Sequence, residues 1–191
     1  AMLMKLFQSK MEEEMNMKAT KQGFEAITEL ALLMGRKRGS SRDAIEQASY
    51  NVLASLFPEF LPPAFRAMFA NPFPDFSTRM NAYVTSLATL WLMGPNRMED
   101  NGLTVHVEKC RYLEGTHCVS SCTNSCKRPT QRFFKEALNI DLNMEPNYDD
   151  YSCKFKFGQL PPPESEDKAF QVGCLARCDI KRSELSKCPK V

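Results

Sequence analysis

Apolar side chains recur every three to four positions in three stretches of the first hundred residues, which is the spacing of one helix face. The stretches cover residues 24–34, 45–56 and 80–91. Ser41 stands before the second stretch as a candidate N-cap, and Gly94 with the proline after it would end the third. The pattern therefore predicts three helices in this half of the chain.

Beyond residue 100 the alternation changes to a period of two, which is typical of strands. Val105 and Val107 would share one face of a strand over residues 103–110, and Cys153, Phe155 and Phe157 one face over residues 152–158. The remaining predictions are a short helix entered at a proline, an extended connection and a turn of helix. They cover residues 129–140, 159–167 and 170–178.

A segment rich in phenylalanine and proline, residues 57–76, separates the second and third helical stretches. It holds six Phe and five Pro, so one long helix is excluded while burial or an apolar partner is still required. Two interpretations stay open from the sequence. The segment either packs onto the core as a short helix with loops, or it forms one wall of a site for a long apolar molecule.

Charge narrows the classes of function. The net charge is only +2, with 11 basic and 11 acidic residues in the first hundred and 14 and 12 in the rest. A nucleic-acid-binding surface needs a basic stripe that this balance does not provide, so we expect no nucleic-acid partner. The longest uncharged run, residues 80–96, is short and contains Asn, Ser and Thr, which favours a buried helix over a membrane span.

Cysteine is distributed unevenly, since all eight residues lie between Cys110 and Cys188. Cys118, Cys122 and Cys126 are spaced at strict intervals of four. On a straight α-helix the first and last would be about 12 Å apart along the axis, too far to share one tetrahedral metal. The Ser, Thr, Val and Asn residues between them are mediocre helix formers, which predicts a loop wrapped round a cluster.

Spacing alone leaves the chemistry of these cysteines open. Zinc sites favour paired C-x2-C knuckles, which are absent, and C-x3-C-x3-C is closer to iron–sulfur ligation. Zinc, disulfides and buried thiols remain alternatives. Cys174 and Cys178 form a further C-x3-C pair, and His106 and His117 are weaker candidate ligands.

Three ordered motifs resemble the plant plastid β-carotene isomerase family of the strigolactone pathway, the Dwarf-twenty-seven family, or a paralogue within it. They are "VEKCRYLEGTHCVSSCTNSCKRPTQRFF", "MEPNYDDYSCKFKFGQLPPP" and the Cys174–Cys178 pair. The family depends on iron and interconverts all-trans- and 9-cis-β-carotene. The resemblance implies iron here, expected as one or more [4Fe–4S] clusters, and it leaves Cys188 outside the ligand set. The implied ligands are Cys110, Cys118, Cys122, Cys126, Cys153, Cys174 and Cys178.

Pattern and resemblance together predict an α+β protein in which a helical bundle packs on a small cysteine-rich, ferredoxin-like α/β unit that binds iron–sulfur. Residues 1–100 would form the helical, apolar, substrate-binding half, and residues 101–191 the metal-binding half of one compact unit. Four aromatic residues are expected to line the substrate slot, and no catalytic residue is assigned. They are Phe65, Phe69, Phe73 and Trp91.

The expected function is iron-dependent cis/trans isomerisation of a carotenoid, which feeds strigolactone or related apocarotenoid synthesis. The alternatives are an iron–sulfur electron-transfer protein without its own substrate, and an interaction module stabilised by zinc or disulfides. The resemblance further implies a plastid protein, stromal or peripheral on plastid membranes, whose transit peptide is not part of this sequence. Expected partners are the carotenoid, a membrane contacted through residues 57–76, and an electron donor.

Overall fold

The structure is a computed structural model that describes residues 2–37 and 41–175. Short turns of two other helix types separate or extend the α-helices and strands. The π-helical turns are Arg66–Ala70 and Thr123–Lys127, and the 3-10 turns are Asp100–Gly102 and Lys168–Phe170. The helices are α1 (Met2–Met15), α2 (Phe24–Lys37), α3 (Arg42–Ala54), α4 (Leu61–Phe65), α5 (Pro74–Ala88), α6 (Leu90–Met93), α7 (Arg111–Thr116), α8 (Val119–Cys122) and α9 (Arg128–Leu138). The strands are β1 (Asn96–Glu99), β2 (Thr104–Val107), β3 (Leu142–Pro146) and β4 (Cys153–Phe157).

The helices predicted from apolar periodicity are confirmed. The first two stripes are α2 and α3, and the hydroxyl of Ser41 accepts a hydrogen bond from the Ala44 N–H, as an N-cap does. The third stripe is divided between α5 and α6, and Gly94 ends α6 with a φ of 92°, a conformation that glycine adopts without strain. The sequence did not predict α1, whose apolar residues give way to a run of three glutamates.

The described strands form one antiparallel sheet in the order β1-β2-β4-β3. Val107 pairs with Cys153 and Val105 with Phe155, so the apolar residues of neighbouring strands lie on the same face and are buried. Both predicted strands are confirmed, as is the helix of residues 129–140, which begins with a proline in its first turn. The outer strands β1 and β3 were not predicted.

One hydrophobic core runs from the N-terminal helices to the sheet. It joins Met11 of α1, Leu30 of α2 and Val52 of α3 to the buried face of β2 and β4. Helix α9 closes this core over the sheet, where the ring of Phe134 meets the ring of Phe157 edge-on at 5.3 Å. Each amphipathic element thus buries its apolar side against a neighbour, the arrangement that stabilises a two-layer domain.

The mixed α+β class is confirmed, but the ferredoxin-like description is not supported. A ferredoxin-like unit repeats βαβ, whereas this sheet is built from the β1–β2 and β3–β4 pairs with α7, α8 and α9 between them. In the predicted turn of helix at residues 170–178, Phe170 ends a 3-10 turn, residues 171–175 are not helical, and residues 176–178 lie outside the described residues. No helix in the described part of the chain is long and apolar enough to cross a membrane.

Candidate functional site

Of the three evenly spaced cysteines, Cys122 and Cys126 lie on a continuous helical segment and Cys118 is its N-cap, so the prediction of a loop is wrong. Helix α8 runs directly into the π-helical turn Thr123–Lys127 and from there into α9. The hydroxyl of Thr123 donates to the Val119 carbonyl at 3.0 Å, and that of Ser125 to the Ser121 carbonyl at 2.7 Å. These hydroxyl groups form their hydrogen bonds within the helix. The segment can therefore be buried as a helix despite the low helix propensity of its residues.

Cys118 differs from the two cysteines that follow it. It is the N-cap of α8, with extended backbone, and its sulfur accepts a hydrogen bond from the Ser121 N–H at 3.4 Å. Its side chain is therefore directed to the start of the helix. Cys122 and Cys126 are one turn apart and line a common cavity, in which Cys118 does not take part.

Four cysteine side chains line this small cavity, which we call the cysteine cavity. Cys110 enters from the segment between β2 and α7, where its N–H donates to the Tyr151 carbonyl at 2.7 Å. Cys153 enters from the buried face of β4, and Cys122 and Cys126 from the helical segment. Apolar groups of Met144 and Phe155 and other neighbours complete the wall. The fold thus brings together cysteines more than 40 positions apart in the sequence, from Cys110 to Cys153.

Burial keeps these thiols protonated. It raises the pKa of Cys122 and Cys153 well above the usual value, and the neighbouring cysteine sulfurs raise it further. Burial, followed by the charge of Cys110, raises the pKa of Cys126 to about 12. The pKa of Cys110 is also raised by burial, against the opposing effect of the N–H groups of Leu113 and Tyr112. Thiolates would form here only with a compensating cation.

Lys127 provides one such positive charge inside the protein. Its side chain is 1% exposed, its ammonium pairs with Asp167 at 2.7 Å, and it donates to the Met144 carbonyl. Its charge lowers the pKa of Cys122 and Cys153, though less than burial raises it. The sequence did not indicate this role, because a lysine followed by an arginine in a polar segment is usually solvated.

The donor chemistry of the cysteine cavity fits a metal that prefers sulfur. Among the described residues, its wall holds four thiols and no carboxylate or imidazole. Thiolates select iron–sulfur clusters, zinc or copper(I) over hard cations. Within residues 2–37 and 41–175, however, no group of three or more His, Cys, Asp or Glu side chains is arranged to hold a metal ion. Binding would therefore require the sulfur atoms to converge.

An apolar cleft of about 480 Å³, including its mouth, lies beside the cysteine cavity. Its main walls are the inward faces of α1, α2 and α3, with Phe7, Met34 and Leu53 among the lining residues. The periodicity of α2 and α3 had marked such positions only as core. Because α1 was not predicted, its contribution was missed altogether.

The two cavities share part of their walls. Leu92, Tyr112 and Cys126 line both of them. The hydroxyl of Tyr112 lies 2.6 Å from the hydroxyl of Ser125, which also lines the cleft. Burial, and secondarily the charge of Cys126, raises the pKa of Tyr112 well above its usual value, so this phenol is neutral. A molecule in the cleft would thus lie against the same residues that enclose the thiols.

The residues predicted to bind substrate line neither of these two cavities. Phe65 and Phe69 stack on each other at 5.8 Å, and Phe73 is 59% exposed at the start of α5. Trp91 packs edge-on against Phe7 at 5.5 Å and so lies behind one wall of the cleft. Their role in binding stays a prediction.

The remaining candidate ligands are dispersed. Cys174 is exposed and does not line the cysteine cavity, while Cys178 and Cys188 lie outside the described residues. His106 points away from the buried side of β2, and its Nδ1 lies 2.8 Å from a carboxylate oxygen of Glu99. The corresponding atom of His117 lies 3.3 Å from the Tyr151 hydroxyl.

Comparison with known proteins places the chain in a family. Residues 91–166 match the family described as "Beta-carotene isomerase D27-like, C-terminal". The "Beta-carotene isomerase D27, chloroplastic" of Medicago truncatula is 31% identical over 181 residues, or 88% of this chain and 68% of the relative. The protein of the same name from Arabidopsis thaliana is 32% identical over 152 residues, or 75% of this chain and 58% of the relative.

No solved structure matches this chain. The similarity to the two plant proteins extends well beyond the cysteine-rich segment, since the aligned 181 residues include most of the helical half. Both relatives are named as chloroplastic, in agreement with the expected plastid location. The chain belongs to the β-carotene isomerase D27 family.

Proposed function

We propose that this protein is a plastid carotenoid cis/trans isomerase of the all-trans/9-cis-β-carotene type, which feeds strigolactone or related apocarotenoid synthesis. The polyene binds in the apolar cleft, and iron is held at the cysteine cavity. The names of the two relatives support the reaction. The observation that carries the assignment of the site is that Leu92, Tyr112 and Cys126 line both cavities.

The cleft suits a hydrocarbon. A carotene has no group that forms a hydrogen bond, so its binding energy must come from apolar contact, at roughly 25 cal/mol per Å² removed from water. The cleft offers phenylalanine, leucine and valine together with two flexible methionines, Met11 and Met34, which adapt to irregular shapes. Its enclosed part measures only about 60 Å³, so a carotene would bind only if the surrounding walls moved apart.

Cys110, Cys122, Cys126 and Cys153 would hold the iron as one [4Fe–4S] cluster, and any further cluster would need ligands outside this cavity. When bound, such a centre would supply reversible exchange of a single electron, which would lower the bond order of a conjugated double bond with no net redox change. Further ligation by Cys118, Cys174 and Cys178, implied by the family resemblance, stays a prediction. The electron donor expected as a partner likewise stays a prediction.

The other residues of the site would exclude water and set the charge. Isomerisation moves no proton, so the absence of an acid–base pair from the shared wall raises no difficulty. The neutral phenol of Tyr112 forms part of the shared wall without introducing a charge next to the polyene. The buried Lys127 offsets the negative charge that cysteine ligands bring when they bind a metal.

Two variants separate the proposed roles of the cleft and the cysteine cavity. Leu53→Trp should fill the cleft and abolish turnover of all-trans-β-carotene while iron per chain stays unchanged. Cys122→Ser should remove both iron and turnover. Isomer ratios by chromatography, together with iron and acid-labile sulfide per chain, provide the measurements.

Leu56→Trp is the matched control for the cleft, because Leu56 follows the same helix but does not line it. It should keep both activity and iron. Full turnover by Leu53→Trp would show that the polyene binds elsewhere. An iron-loaded wild-type protein that changes no isomer ratio would favour the electron-transfer alternative.

A further inference from the structure

Helix α5 buries its small side chains and exposes its large apolar ones, which is the reverse of an ordinary surface helix. Its buried residues are small, namely Ser77, Ala82 and Ser86. Its large apolar residues Tyr83, Val84 and Leu87 are between 53% and 59% exposed. A surface helix normally turns its apolar stripe to the core. This outward stripe therefore needs an apolar partner that the described chain does not supply.

The exposed apolar surface extends along the chain on both sides of this stripe. Phe60, Met68, Phe73 and Phe76 are each more than half exposed on α4, the π-helical turn and the start of α5, and Leu90 of α6 is 44% exposed. Successive elements in this series contact one another. Single exposed apolar residues are ordinary, but a contiguous set of this kind marks an interaction surface. We call it the α4–α6 face.

The α4–α6 face carries almost no charge. Between residues 57 and 92 the charged residues are Glu59, Arg66, Asp75 and Arg79, two of each sign. Both arginines donate to backbone carbonyls of the protein, Arg66 to that of Glu136 and Arg79 to that of Asn101. The partner is therefore recognised by apolar contact and not by charge.

Helix α6 links this face to the cleft. Leu90 is exposed on the face, whereas Leu92, two residues on, lines both cavities. Between them, Trp91 contacts Phe7 of the cleft wall. The first turns of α1, which precede Phe7, also expose Met2, Leu3 and Leu6. Apolar surface thus continues from the face to the cleft within about one helical turn.

We propose that the α4–α6 face docks on the surface of a lipid bilayer, with α5 lying in the plane of the interface and α6 bringing the cleft to the acyl chains. Interfacial helices bind in this way, with the apolar side buried in the boundary between head groups and acyl chains. A bilayer accepts large protruding side chains without a complementary pocket. The choice of a bilayer over a protein partner rests on the proposed function, since a carotene is dissolved in membranes.

Vesicle flotation with the full chain and no carotenoid tests the proposal. Wild-type protein should float with vesicles of zwitterionic phosphatidylcholine, and 1 M salt should leave binding nearly unchanged because the face is neutral. The double variant Val84→Glu/Leu87→Glu should lower the partition coefficient by about tenfold or more, which corresponds to about 1.4 kcal/mol. Val172→Glu, at an exposed apolar position away from this face, is the matched control and should float like the wild type.

Several outcomes would overturn the proposal. They are failure of the wild type to float, release by salt, equal floating of the double variant, or a concentration-dependent dimer that the double variant abolishes. Circular dichroism and iron content check that the double variant is folded. In detergent micelles it should keep wild-type turnover, because neither residue lines the cleft. Vesicle binding without any isomerisation would instead refute the proposed function and leave the docking surface standing.

Discussion

The buried ion pair of Lys127 and Asp167 fixes the segment after the sheet against the cysteine cavity, with side-chain exposures of 1% and 8%. Replacing one partner of such a pair leaves an uncompensated buried charge. We expect Asp167→Asn to lower the free energy of unfolding by about 3–5 kcal/mol. The double variant Lys127→Met/Asp167→Leu should recover most of that loss, since it buries no charge. Urea unfolding of the two variants and the wild type measures both effects.

Glu166 provides the control for this prediction, because it is exposed and adjacent in sequence. Glu166→Gln should change the free energy of unfolding by no more than about 0.5 kcal/mol. If the double variant is as unstable as Asp167→Asn, the cost lies in lost packing or in lost hydrogen bonds, from Lys127 to the Met144 carbonyl and from the Ala169 N–H to Asp167, and not in the uncompensated charge.

The charged face of the sheet makes a different contribution, which depends on pH. Hydrogen bonds from His106 and then Lys154 lower the pKa of Glu99 from 4.5 to about 2. Because this carboxyl binds protons more weakly in the folded than in the unfolded state, its stabilising effect is present above pH 4.5 and is lost as the pH falls towards 2. Glu99→Gln should therefore lower stability at pH 7 and flatten its fall between these two values, as measured by urea unfolding at each pH.

A parallel loss of stability in wild type and Glu99→Gln between pH 4.5 and 2 would contradict this account. Glu108→Gln serves as the control, because Glu108 is an exposed partner of Arg97 on the same face. We expect its pH dependence to follow that of the wild type, since exposed ion pairs contribute little.

Among the elements, α3 depends on a cap that the sequence revealed. The Ser41 hydroxyl accepts the Ala44 N–H at 3.3 Å and so satisfies one of the unpaired N–H groups at the helix start. Ser41→Ala should cost about 1 kcal/mol of stability, whereas Ser41→Asp should retain it, because aspartate is an equally good N-cap. Thermal and urea unfolding of the two variants compare them directly. Equal destabilisation by both would mean that the hydroxyl geometry, and not capping, matters.

Elements with strong periodicity could be predicted, and those whose character depends on tertiary contacts could not. The stripes of α2 and α3 and the alternation of β2 and β4 are properties of the local sequence. Strands β1 and β3 can be recognised as strands only from their pairing with β2 and β4. Local sequence patterns do not encode this pairing. The glutamates of α1 obscured an apolar side that packs on α2 and α3.

The sequence could predict the candidate site only in part, for the same reason. Spacing and resemblance identified the cysteines, but the loop prediction failed because burial overrides the weak helix propensity of Ser and Thr between them. Tyr112 and Lys127 lie within the first motif of the resemblance, but only the packing of α7 and the π-helical turn around the cavity reveals their roles. The grouping of Cys110 and Cys153 with Cys122 and Cys126 is likewise a product of the fold.

At the scale of the whole molecule, the helical and cysteine-rich halves depend on each other. The core that contains Met11 and Leu30 also contains Phe155 and Phe157. Strand β1, on the N-terminal side of residue 100, pairs with β2 on the other side. The apolar cleft is likewise built from both halves, since Phe7, Cys126 and Thr130 are all among its lining residues. Neither half encloses a site by itself.

We therefore expect one cooperative unfolding transition and no stable isolated half. Trp91 is the single tryptophan and reports on the contact with Phe7, while far-ultraviolet circular dichroism reports on the helices. The two signals should give the same midpoint in urea, as a two-state domain requires. A fragment of residues 101–175 lacks β1 and helices α1 to α6, which form much of the core, so it should show no cooperative transition. A folded fragment, or two separate midpoints, would instead establish two independent domains joined near residue 100.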